Sequence, residues 1–183
     1  GVNGIEFDRA TAKGLSRHAD TGEPIPDALF DRLVAAKNYR AATAMLRQLF
    51  FAATDMDLYA RYPQPDWPDP DAVKRHNAEK YSPTPILPED RFLCSFSHIF
   101  SGAYAAGYYS YKWSEVLSAD CFAAFEEAGL ENDGAVRDTG RRFRDTVLAL
   151  GGGEDPMAVF RRFRGRAPSI DALLRHSGLA ASP

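Results

Sequence analysis

Between His98 and Leu117 the chain gathers side chains that can share a proton. Residues 104–117 read Tyr-Ala-Ala-Gly-Tyr-Tyr-Ser-Tyr-Lys-Trp-Ser-Glu-Val-Leu, so four phenols (Tyr104, Tyr108, Tyr109 and Tyr111) follow a small-residue link, Ser101-Gly102-Ala103, with His98 just upstream. On the first turns of a helix, Tyr104, Tyr108 and Tyr111 would fall at i, i+4 and i+7 and share one face. A neutral phenol donates a hydrogen bond without having to ionise. A flexible link beside such a cluster can bring several donors onto one ligand, which suits binding a peptide and stabilising an oxyanion. The residues alone leave a second reading open: aromatic packing on a buried helix face, with the hydroxyls bonded to local partners.

Other candidate groups carry less chemistry. The four histidines, His18, His76, His98 and His176, are scattered, and none has the i, i+4 partner that a His-Glu-x-x-His zinc helix needs. No metal ligand is therefore assigned in this chain. His18 and His176 fall near helix ends, where partial positive charge is favoured, and His76 lies in a charged helix. Cys94 and Cys121 lack metal or redox spacing and read as two reduced thiols. Arginines crowd the last third of the chain, from Arg141 to Arg175, but acids are interleaved with them. They read as solvated faces and as ion pairs with Glu126, Glu127, Asp138 and Asp145. A subset around Arg164 and Arg166 has the fork geometry that matches a carboxylate.

The elements that must position these groups are nearly all helical; alternating strand patterns are absent, and the expected class is all-α. A short helix is expected over 8–19. Pro26 opens the next, with Leu29, Leu33 and Val34 as its apolar stripe, ending near Lys37. Asn38 can cap a long helix over 39–62, whose core-facing positions are Met45, Leu46, Leu49, Phe50, Ala53, Met56 and Tyr59. Prolines at 63, 65, 68 and 70 end it. Residues 71–81 form a helix with a polar face, and Pro83, Pro85 and Pro88 mark a second link. The central helix is expected over 104–128 with Gly129 just past its end. Helices over 132–150, 155–164 (opened by Asp155-Pro156) and 170–177 (capped by Ser169) complete the chain, with 179–183 frayed. The proline links read as loops, leaving one α-helical domain over 1–183.

Length and composition agree with such a domain. A chain of 183 residues supports one sizeable core, and 45% hydrophobic and 26% charged residues are ordinary for a globular protein. A net charge of −3 gives no general drive toward nucleic acid or an anionic membrane. No apolar run reaches the roughly 20 residues of a membrane helix. The expectation is a cytoplasmic protein with neither nucleic acid nor membrane as partner.

Residues 92–125, together with Thr21-Gly22-Glu23-Pro24, Ala35-Ala36-Lys37-Asn38-Tyr39, Leu46-Arg47-Gln48-Leu49, Gly151-Gly152-Gly153, Phe163-Arg164-Gly165-Arg166 and Leu173-Leu174-Arg175-His176, carry a resemblance over nearly the whole chain. The chain resembles the C-terminal part of oligopeptidase A-like zinc metallopeptidases, the family of thimet oligopeptidase, neurolysin and dipeptidyl carboxypeptidase. The resemblance implies a multi-helical part of a zincin-type oligopeptidase that hydrolyses short peptides in a deep substrate channel. It implies that Tyr111 and His98 stabilise the tetrahedral oxyanion, and that Tyr104, Tyr108 and the loop around Gly102 bind substrate. It also implies Zn2+ in the full-length parent, held by residues outside this chain, and the remainder of the parent chain as a partner. Two departures stand out. Gly102-Ala103 replaces a Gly-Gly pair, and alanine resists positive φ. The chain also passes from Asp8 straight to Arg9-Ala10-Thr11 where a glutamate ligand segment is expected, which points to a deletion or splice near 8/9; Glu6 is not assigned as a ligand. With an opening Gly1 rather than a methionine, the chain reads as a fragment that is inactive alone. The alternative function is a non-catalytic helical module that binds peptides.

Overall fold

A computed structural model describes residues 8–180. Among them the regular structure is helical, with an isolated bridge between Gln64 and Trp67 and no strand, as expected for an all-α chain. The helices are α1 (Arg9–Leu15), α2 (Asp27–Ala36), α3 (Ala41–Ala60), α4 (Pro70–Tyr81), α5 (Phe92–Ser95), α6 (Ser97–Phe100), α7 (Ser110–Ala128), α8 (Asp133–Phe143), α9 (Pro156–Arg164) and α10 (Asp171–His176); a π-helical segment, Arg144–Leu148, follows α8. The sequence around Glu6 and the end of the frayed tail lie outside the described residues.

Helix starts follow side-chain chemistry. Asp8, Asp69, Asn132 and Asp155 each accept a backbone N–H in the first turn of α1, α4, α8 and α9. Asn38 does not cap α3: the N-cap is Arg40, at φ 56°, and makes no side-chain cap bond. The N-cap of α10 is Ile170, although Ser169 Oγ accepts the Asp171 N–H at 3.1 Å. Gly129 and Gly178 stand just past α7 and α10 at φ 85° and 67°, the left-handed stops read from the sequence.

The chain divides into two compact units, Arg40–Ser114 and the described residues of Gly1–Tyr39 with Glu115–Pro183. In the Arg40–Ser114 unit, α3 packs on α4, and a core of Phe50, Phe51, Leu93, Phe96, Ile99 and Tyr108 closes over α3. Of the stripe expected for α3, Phe50 is buried and Met45, Leu46 and Ala53 are partly buried, but Leu49, Met56 and Tyr59 are exposed, while Phe51, Thr54, Asp55 and Asp57 are buried beside Phe50. The buried face also includes a threonine and two aspartates, which an apolar periodicity does not pick out. Asp57 accepts from Asn77 Nδ2 at 2.9 Å, tying α3 to α4 through polar groups.

The other unit is held by polar contacts as well as by apolar burial. Its expected α2 stripe is likewise displaced: Leu29, Leu33 and Val34 are exposed and Phe30 is the buried residue. Asp120 of α7 is fully buried and receives Arg164 at 3.0 Å, Arg166 at 2.6 Å and the Ser169 N–H at 2.8 Å. Glu127 takes the other side of Arg164 at 2.6 Å, and Glu126 binds Arg175 at 2.6 Å and His176 Nε2 at 2.9 Å. The Arg164 and Arg166 forks are thus engaged inside this unit.

Candidate functional site

The tyrosine segment is not helical where the sequence predicts a helix. α7 begins at Ser110, so Tyr111 stands in its first turn, while Tyr104, Tyr108 and Tyr109 lie in the turns that precede it. The i, i+4, i+7 spacing therefore does not place the rings, yet three of the four phenols meet. Tyr104 stacks on Tyr111 with ring centroids 5.0 Å apart, and Tyr108 lies 5.1 Å from Tyr111. His98, in α6, is 5.7 Å from Tyr108, 6.2 Å from Tyr104 and 6.3 Å from Tyr111. His98, Tyr104, Tyr108 and Tyr111 form one aromatic cluster within the Arg40–Ser114 unit; Tyr109 is exposed.

Each member has a different environment. Tyr104 and Tyr111 are 37% and 38% exposed, whereas Tyr108 is 8% exposed. Tyr108 Oη donates to Gln48 Oε1 at 3.2 Å, and its ring meets Phe51 and Phe96 edge-on. Burial pushes the Tyr108 phenol pKa up, against a smaller pull from the Arg47 charge. The hydrogen bond with Tyr104 pushes that of Tyr111 up, with burial adding to it. Both phenols are therefore neutral donors over the physiological range.

The segment is set by its backbone. Both carboxylate oxygens of Asp55, a residue with no exposed surface, accept from it: Oδ1 from the Ala106 N–H and Oδ2 from the Tyr108 N–H, each at 2.9 Å. Ala106 is in the left-handed region at φ 53°. Upstream, the Gly102 N–H donates to the Ser97 carbonyl at 2.8 Å and the Tyr104 N–H to the His98 carbonyl at 3.3 Å. A Cβ on Gly102 would sit 2.7 Å from that His98 oxygen. Glycine is required here by close approach, and Ala103 is not among the positive-φ residues, so the Gly102-Ala103 pair fits this turn. The Tyr59 hydroxyl donates to the Ile99 carbonyl and secures the end of α6 to α3.

Sequence reasoning missed Asp55 and Gln48. The signal was present: Asp55 stands four residues after Phe51 and three before Leu58, at a core-facing position of α3 where an unpaired charge is costly. The thiols of Cys94 and Cys121 are free, and burial pushes that of Cys121 up to about 11, which leaves it unreactive. Among the described residues no group of three His, Cys, Asp or Glu side chains could hold a metal ion.

The described residues are helical, and three phenols and an imidazole meet within one of the two units. Peptidase family M3 matches residues 5–179, and the chain belongs to that family. It is 53% identical over 177 residues, 96% of this chain, to the organellar oligopeptidase A, chloroplastic/mitochondrial, of Arabidopsis thaliana, and 52% identical over 176 residues, again 96% of this chain, to the probable cytosolic oligopeptidase A of the same plant. It is 47% identical over 169 residues, 90% of this chain, to oligopeptidase A of Escherichia coli. These matches cover 22%, 25% and 24% of the relatives, so the chain spans about a quarter of their length.

Proposed function

We propose that this chain supplies the donor wall of the substrate channel in a zinc-dependent oligopeptidase that hydrolyses short peptides. The observation that carries the reading is the convergence of His98, Tyr104, Tyr108 and Tyr111 on one cluster whose outer phenols reach solvent. Tyr111 and His98 donate to the oxyanion that forms when water adds to the scissile carbonyl. Tyr104, Tyr108 and the turn at Gly102 hold the peptide. Preorganised neutral donors do this without moving a proton of their own, and each is worth on the order of 3 kcal/mol in the transition state.

The zinc of the family would polarise the carbonyl and activate the water. The described residues do not offer a ligand set for it, so its ligands are assigned to the rest of the parent chain and no step is routed through the metal here. The remainder of the parent is accordingly the partner of this chain. We take 1–183 as a single functional piece of the catalytic region, and the passage from Asp8 to Arg9 as the site of a lost ligand segment. A cytoplasmic location follows the cytosolic relative; the organellar relative is the competing case.

The test compares the intact protein with this chain alone. The intact protein is expected to cleave short peptides in a chelator-sensitive way, and this chain alone to cleave none. Chelator-sensitive cleavage by the isolated chain would overturn the reading. Because the chain spans only a quarter of its relatives, the second reading is a non-catalytic module that binds peptides; the same cluster would then bind short peptides without cleavage by any form of the protein.

A further inference from the structure

We propose that Asp55 is a positioning residue for the tyrosine segment, a buried carboxylate that sets where Tyr104, Tyr108 and Tyr111 stand. This rests on the reading that those phenols engage the peptide. Asp55 itself reaches no solvent, and it meets the proposed site only through the backbone N–H of Tyr108. Its two oxygens take the N–H groups of Ala106 and Tyr108, which lie between the Tyr104 and Tyr111 side chains in the sequence. The intervening backbone is one that the chain would not choose unaided, since Ala106 sits at φ 53°, a region that alanine resists. One bidentate acceptor on a rigid 20-residue helix therefore holds a strained, non-helical turn against the core.

The geometry explains how phenols spread over turns and a helix start can converge without helical periodicity. Tyr108 is drawn inward by the N–H bond to Asp55 and by its hydroxyl bond to Gln48, both from α3. Its ring then forms the floor on which Tyr111 rests at 5.1 Å, and Tyr104 stacks on Tyr111. Moving the Ala106–Tyr108 backbone would carry all three hydroxyls with it. A buried aspartate that only capped a turn would leave peptide affinity untouched when weakened.

Asp55→Asn in the intact protein is the test. An asparagine keeps the shape but offers one acceptor and turns two donors toward the other N–H. Helix content should be retained. The Ala106 and Tyr108 amides should exchange with solvent about 10- to 100-fold faster, and kcat/KM for a short peptide should fall by about 10- to 100-fold, with KM raised. Loss of folded protein alone would lower kcat and leave KM unchanged. Unchanged exchange of both amides together with kcat/KM within about twofold of the unmodified protein overturns the proposal. Tyr111→Phe is measured beside it. If Tyr111→Phe is impaired and Asp55→Asn is not, the positioning role alone fails; if Tyr111→Phe is silent, the functional reading fails, whatever the amides do. Should Asp55→Asn not fold, exchange in the unmodified protein decides. Ala106 and Tyr108 amides slower than that of Ala105 by about tenfold or more support the clasp, and equal rates overturn it.

Discussion

His98, Tyr104, Tyr108 and Tyr111 share one cluster but not one task, because their polar tips see different surroundings. Tyr108 is buried with its hydroxyl on Gln48 and its ring beneath Tyr111, so on the proposed reading it meets the peptide through its ring; Tyr104 and Tyr111 are more exposed and stacked on each other, so either hydroxyl can turn to a ligand. Tyr104→Phe separates these roles. The hydrogen bond that raises the Tyr111 pKa is lost, so absorbance titration should show Tyr111 ionising at lower pH than in the unmodified protein. In peptide hydrolysis the same variant should raise KM several-fold while kcat changes less, as expected for a group that binds the ground state and the transition state alike. Part of this cluster was legible: the residue types and the upstream histidine singled out the side chains that meet, together with Tyr109, which does not join them. The reason they meet was not. It lies in Asp55, whose core-facing position was legible but whose partners 51 and 53 residues away were not, and in the left-handed Ala106.

At the level of elements, helix ends were easier to read than helix faces. Asp155-Pro156 and Gly129 announce their boundaries through a cap with a proline at the start and a left-handed stop, whereas Asp69-Pro70, read as part of the proline break, opens α4 in the same way as Asp155-Pro156 opens α9. The face of α3 was read only in part, because Thr54, Asp55 and Asp57 join the expected Phe50 on its buried side while Leu49 and Met56 face out, and that of α2 was missed because Phe30 alone of its neighbours turns in. The acids of α7 give the element-scale prediction. Burial works against ionisation of Asp120, but the Arg166 hydrogen bond, the Ser169 N–H and the two guanidinium charges outweigh it and hold its pKa below the usual carboxylate range. Burial is likewise outweighed at Glu126 by Arg175 and His176, and the Arg164 hydrogen bond lowers Glu127. Carboxylates with depressed folded pKa values stabilise the fold above their unfolded pKa, and that contribution is lost as the pH falls through the folded values. Thermal stability should therefore hold from pH 7 down to about 5 and decline below about 4. Asp120→Ala leaves the nearly buried Arg164 paired with Glu127 but removes the acceptor of its Nε and of the Ser169 N–H, and should cost about 2–3 kcal/mol at pH 7, measured by denaturant unfolding; a change below about 1 kcal/mol would contradict the network.

For the whole molecule, Peptidase family M3 matches residues 5–179 and so takes in residues of both compact units, and the chain spans about a quarter of the length of its relatives. On the proposed reading, the phenols and imidazole of Arg40–Ser114 act only beside the metal that the rest of the parent would hold. That dependence makes hydrolysis by the intact protein the decisive quantity. The most direct measurement is kcat for a short peptide in the intact protein carrying Tyr111→Phe, which removes one hydroxyl and leaves the ring packing in place. A fall of about 100- to 1,000-fold in kcat with little change in KM is the predicted result. A kcat within about twofold of the unmodified protein would contradict the assignment of this phenol to the oxyanion.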